Sequence, residues 1–133
     1  LTLRGETLGS PQPPIVQWQR EYVLRIDAVR KAADQSGLGG AAREKLKLKV
    51  DGRSMSVETI LGTLHFHASQ EIPMLLRQGT NQRSLNAIYA MNMNDHFWVS
   101  RLMDSPDLQQ PTLQTALALL DKHLADIPRA ESS

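Results

Sequence analysis

The chain has no cysteine. That excludes a disulfide, a thiolate nucleophile and a cysteine-ligated zinc site, and it leaves the redox compartment open. Aromatic residues make up only 5% of the 133 residues, so a core built from this sequence is mainly aliphatic. An excess of one charge is missing too: fifteen Lys and Arg stand against fourteen Asp and Glu, for a formal net charge of +1. No overall field draws the chain to nucleic acid or to an anionic membrane, and such binding requires a local patch. No apolar run approaches the ~18 to 20 residues of a membrane span, and the opening LTLRGETLGS lacks the long apolar segment of a secretory signal. A cytoplasmic protein without a membrane partner is the expectation, although a signal already removed would leave no trace.

What the sequence does contain is helical periodicity. In PIVQWQREYVLRIDAVRKAADQSG, residues 14–37, apolar side chains recur at Ile15, Trp18, Tyr22, Ile26, Val29 and Ala33, the spacing of one helix face. Pro13 and Pro14 suit a first turn, where a missing N–H is not needed, and Gly37 suits the left-handed position that ends a helix. The same period returns at Val57, Ile60, Leu61, Leu64, Ala68, Ile72 and Leu75, with Ser54 or Ser56 as cap. Pro73 lies inside that pattern and is expected to kink or split the helix near Gln70 and Glu71. After a turn at Gly79, Thr80 and Asn81, a third segment runs to about Met103 through Leu85, Ile88, Tyr89, Met93, Phe97 and Leu102, with a less regular stripe. Breaks from Asp104 to Pro111 precede a last helix carrying Leu113, Leu117, Leu120, Leu124 and Ile127.

Between the first two helices the period changes to two. Leu46, Leu48 and Val50 alternate with Lys45, Lys47 and Lys49 ahead of Asp51-Gly52, which predicts a strand over residues 44–50. A strand needs a neighbour for its backbone groups, and the candidates are LTLR at residues 1–4 or the same strand of a second subunit. The resulting expectation is a mainly α-helical, four-helix bundle-like domain with a short β-ribbon, a single unit over 1–133 with an N-terminal arm at 1–13 and a frayed tail at 128–133.

Signals for chemistry are sparse. His65 and His67 form an H-x-H pair, but on a helix the two imidazoles point to different sides. His67 and Glu71, four apart, can share a face, with His96 or His123 as a further ligand from another helix. Such spacing without a known motif carries little information, and partly exposed structural histidines are the simpler reading. Gly37, Leu38, Gly39 and Gly40 leave a helix and approach a strand, the reverse of a phosphate-binding loop, so a helix stop is the better account. No serine sits in a nucleophile elbow and no paired carboxylates stand out. The chain is expected not to be an enzyme and to need no cofactor, with a metal-dependent activity on His65, His67 and Glu71 as one alternative.

Two other readings use surfaces. The order strand, helix, break, helix from Arg43 to Met103 is that of ribbon-helix-helix repressors, in which Lys45, Lys47 and Lys49 would enter the major groove from a ribbon paired across a dimer. Against it stand the near-neutral charge and the long helices, and lysines on a strand edge more simply guard against aggregation. Tyr89, Phe97 and Trp98 could anchor a protein partner, although aromatics at helical spacing usually fill a core. Trp98 is of most interest, because adjacent Phe97 and Trp98 cannot share one helical stripe.

The segment DGRSMSVETILGTL, residues 51–64, resembles the regulatory-serine segment of the phosphocarrier protein of the bacterial sugar phosphotransferase system, with Thr59 where that family usually has serine. The resemblance covers about a tenth of the chain. The family's G-L-H-x-R-P motif with its phosphoaccepting histidine has no counterpart, since IDAVRKAAD stands roughly there, so phosphocarrier activity is not implied. The functional expectation is a non-enzymatic protein-interaction or regulatory module, working as a homodimer or with another protein through an apolar helix face.

Overall fold

The computed structural model describes residues 14–79 and 81–129. They form a mainly α-helical bundle with one β-hairpin. In chain order these are α1 (Pro14–Gln35), α2 (Gly40–Lys45), β1 (Lys47–Val50), β2 (Arg53–Ser56), α3 (Val57–Phe66), a π-helical turn (His67–Glu71), α4 (Ile72–Arg77), α5 (Gln82–Asp104), a 3-10 turn (Pro106–Leu108) and α6 (Pro111–Ala125). α1 packs along α6 and α6 along α5, while α3, the π turn and α4 form a bent rod against α1 and α5. The apolar residues of these elements make one aliphatic core around Tyr22, Ile26, Ile60, Leu64, Ile72, Ile88 and Leu117.

α1 is the helix that the periodicity predicts. It buries Ile15, Trp18, Tyr22, Ile26, Val29, Ala32 and Ala33. Its end is a Schellman motif: Gly37 takes φ +80, the Leu38 N–H donates to the Ala33 carbonyl at 2.8 Å, and the Gly37 N–H donates to Asp34 at 3.3 Å.

The strand is present but shorter, and it has a neighbour that the sequence reading did not name. β1 pairs antiparallel with the next segment of the chain, β2, with Leu48 opposite Met55 and Val50 opposite Arg53. Asp51 and Gly52 take φ of 52° and 77°, which gives a two-residue turn of the primed type whose twist matches the strands it joins. Arg43, Glu44 and Lys45, read as the start of the strand or its approach, belong to α2 instead. Arg43 fixes that turn of helix. Buried to 6% exposure, it donates from Nε to Glu58 at 2.6 Å and from Nη1 to Asp34 at 2.7 Å and to the Leu38 carbonyl at 2.9 Å. Pairing with residues 1–4, the N-terminal arm and the end of the frayed tail lie outside the described residues.

Ser56 caps α3 by accepting from the Thr59 N–H at 3.0 Å. Where Pro73 predicts a break, the α-helical turn gives way to a π turn that runs directly into α4. The wider turn carries the chain past a proline ring that would clash with the preceding carbonyls. Pro73 has no N–H for the i→i−5 bond to Ala68, and the Ala68 carbonyl instead accepts from Gln19 Nε2 on α1 at 2.8 Å.

α5 begins at Asn81, whose side chain accepts from the Ser84 N–H. Its inward face differs from the apolar stripe read in the sequence. Buried are Ser84, Leu85, Ile88, Asn92, Asp95, Val99 and Leu102, while Met93 and Phe97 are exposed. The helix thus carries three polar side chains inside, Ser84, Asn92 and Asp95, and two large apolar ones outside.

Candidate functional site

α5 is where the local rules are broken, on both of its faces. Asp95 is the centre of the inner face, and its side chain is 1% exposed. A carboxylate cannot be held there without partners, because an unpaired buried charge is strongly disfavoured. Two elements supply them. Tyr22 of α1 donates its hydroxyl to Asp95 Oδ2 at 2.7 Å, and His67 of the π turn places Nδ1 2.8 Å from Oδ1 and 3.0 Å from Oδ2. A carboxylate only accepts, so His67 donates from Nδ1, and Nε2 is the acceptor when the ring is neutral. The bond to Asp95 raises the His67 pKa above its ordinary 6.5, outweighing the effect of burial. Burial, followed by the charge and hydrogen bond of Asp95, pushes the Tyr22 hydroxyl well above its usual range.

Other polar pairs continue across the interior. Asn92 Nδ2 donates to the Leu124 carbonyl at 2.9 Å. His96 Nε2 donates to Asp121 at 2.8 Å, tying α5 to α6. His123 stacks on Trp18 with ring centroids 5.1 Å apart, and each donates a ring N–H to the other's backbone carbonyl, at 2.8 and 2.9 Å. Burial lowers the His123 pKa below 6.5, the reverse of His67. These bonds fix the rotation and register of α1, α5 and α6 about one another.

The candidate metal ligands are engaged in separate contacts. His67 is committed to Asp95, His96 to Asp121 and His123 to the Trp18 carbonyl, while His65 lies 3.8 Å from Asp27 on α1. Glu71 reaches His67 only as a neighbouring charge. Among the described residues no three His, Asp or Glu side chains are grouped so as to hold a metal ion. His67 with Asp95 has the form of a base and its orienting carboxylate, but among the described residues no hydroxyl is hydrogen-bonded to His67, and the Ser69 hydroxyl donates to the His65 carbonyl.

The outer face of α5 carries the apolar exception. Met93 is 67% exposed and Phe97, one turn on, is 42% exposed. The Arg101 guanidinium lies over the Phe97 ring at 5.1 Å from its centroid. Of the three aromatics marked as partner-binding, Phe97 alone is chiefly external. Trp98 is half-buried, packs against the core and meets Phe97 edge-on at 5.7 Å. Tyr89 is also half-buried, with Arg129 over its ring at 4.4 Å. Met93 falls in the apolar stripe of the sequence but lies outside the core, because Asn92 and Asp95 occupy the inward positions.

The three lysines of the ribbon hypothesis are exposed but are not one array. Lys45 ends α2, while Lys47 and Lys49 lie on one face of the hairpin opposite Ser56 and Ser54. Leu48 and Met55, on the other face, pack toward the core. The ribbon is completed within one chain, so it does not need a second subunit as a ribbon-helix-helix dimer does.

No helix among the described residues is long and apolar enough to cross a membrane. No protein-family model, curated protein or solved structure matches the chain.

Proposed function

We propose that this chain is a non-enzymatic protein-interaction module that works as a homodimer through the outer face of α5. The observation that carries the reading is the exposure of Met93 and Phe97 one turn apart on a helix whose inner face is held by hydrogen bonds. Large apolar groups side by side in water favour a partner surface.

The occupant is a second copy because the stripe is complementary to itself. Ala90 and Phe97 are equally far from the midpoint between Met93 and Asn94, and so are Arg83 and Asp104. Two α5 helices packed antiparallel about that midpoint therefore place the small Ala90 of each copy opposite the Phe97 of the other. The same pairing sets Arg83 against Asp104 at both ends. The three of these residues other than Phe97 are polar or small and exposed, so none of them blocks close approach. With 23 residues at ~1.5 Å rise, α5 offers about 34 Å of contact line. The two-fold relation uses the same patch on both subunits, the commonest geometry of soluble dimers.

The absence of cysteine makes a direct test simple. Met93→Cys introduces the chain's only thiol at the proposed two-fold axis, and mild oxidation is expected to give a disulfide-linked dimer rapidly. Leu24→Cys, equally exposed on α1, serves as control. Cross-linking of the two at the same rate would mean random collision and would remove the reading.

A further inference from the structure

A separate feature lies between α1 and α6. Where Ala28 and Ala32 of α1 face Ala116 of α6, the missing side-chain volume leaves an open groove of about 400 Å³, walled by Leu119. That volume lies within the ~300 to 1,000 Å³ of small-molecule sites. Its floor is apolar, and Leu119 stays 44% exposed although it belongs to the wall.

The charges around it have one sign. Arg25 and Lys31 line the groove and no acidic residue does. Lys31 is exposed and makes no ion pair among the described residues. The ion pair of Arg25 is to Glu21 at 3.9 Å, too long for a hydrogen bond, and its Nε has no acceptor. Two cations beside an apolar trough complement a molecule with an anionic head and an apolar body.

We infer that the α1–α6 groove is a binding site for a small amphiphilic carboxylate, with the carboxylate at Arg25 and Lys31 and the hydrocarbon along Ala28, Ala32, Ala116 and Leu119. The site uses a different pair of helices from the α5 dimer face, so either can fail without the other.

The test is a titration of the isotope-labelled full chain with octanoate and with octanamide, its uncharged analogue, followed by amide chemical shifts. Octanoate is expected to give saturable shifts confined to residues 25–35 and 112–119, and octanamide to bind about fivefold more weakly, the effect of a partly exposed charge pair. The double variant Arg25→Gln/Lys31→Gln should bring octanoate down to the octanamide level and leave octanamide unchanged. Ala28→Leu fills the trough from an exposed helix position where folding is retained, and should weaken both ligands. Shifts that do not saturate, shifts centred on Met93 and Phe97, or equal affinity for the two ligands would overturn the assignment.

Discussion

His67 Nδ1 lies 2.8 Å from Asp95 Oδ1, joining a π turn to the middle of α5 across a sequence separation of 28 residues. The same carboxylate accepts from Tyr22, so three elements converge on one buried charge. Asp95→Ala leaves both donors without their acceptor in the interior. Its expected cost is about 3 to 5 kcal/mol, the range for breaking a buried charged pair, measured by urea denaturation. A loss below about 1 kcal/mol would show that the network does not hold α5 in place.

The two core-facing histidines predict opposite pH dependence. His67 has a raised pKa, mainly from its bond to Asp95 with Glu71 adding, so its folded form prefers the proton. Its stabilising contribution is complete below 6.5 and is lost as pH rises through the folded-state value. His123 has a lowered pKa, mainly from burial, despite the Trp18 carbonyl and Glu21. Its contribution is complete above 6.5 and declines as pH falls below it. The stability difference between parent and His67→Gln should therefore shrink from pH 6 to pH 8, while that for His123→Gln should grow. Denaturation of each variant at several pH values checks both signs.

The Ala68 carbonyl predicts a coupling between Gln19 and Pro73. Gln19→Ala removes the side-chain donor to that carbonyl and is expected to cost about 1 to 3 kcal/mol. Adding Pro73→Ala supplies a backbone N–H next to that carbonyl and should recover part of the loss. The double variant is thus expected to be more stable than Gln19→Ala alone, as read by thermal unfolding.

Arg43 joins α1, α2 and α3 through Asp34, Glu58 and the Leu38 carbonyl. Arg43→Ala is expected to cost about 1 to 3 kcal/mol, less than a fully buried pair because Asp34 is 60% exposed. Lys47→Gln with Lys49→Gln, on the open face of the hairpin, should fall within about 0.5 kcal/mol of the parent. Thermal unfolding distinguishes the two classes.

The legible parts of the fold are those in which side-chain chemistry and position agree. Ile15 to Ala33 repeat at the helical period with a glycine stop, and Asp51-Gly52 ends the alternating run of the strand, so α1 and the end of β1 are read from residues alone. The strand's partner was missed because RSMS has no apolar alternation. Its pairing comes from the turn and from packing of Met55 rather than from its own pattern. α2 was missed because its helical state depends on Arg43 reaching Asp34 and Glu58, contacts that sequence spacing does not reveal. On α5 the apolar pattern pointed to Met93 and Phe97 as core. The inward positions belong to Asn92 and Asp95 because partners on α6, α1 and the π turn satisfy them, and such tertiary compensation is invisible in a single chain. Of the adjacent pair Phe97 and Trp98, which cannot share one stripe, Trp98 packs inward and Phe97 outward.

The central claim is that α5 joins two copies of the chain through Met93 and Phe97. Its most direct test is the molar mass in solution by light scattering of the parent and of Phe97→Glu, at matched concentrations and with helicity checked by circular dichroism. The account predicts a parent mass of twice the 14.8 kDa chain and a folded monomer for Phe97→Glu. A parent that is monomeric, or a Phe97→Glu variant that remains dimeric, would contradict it.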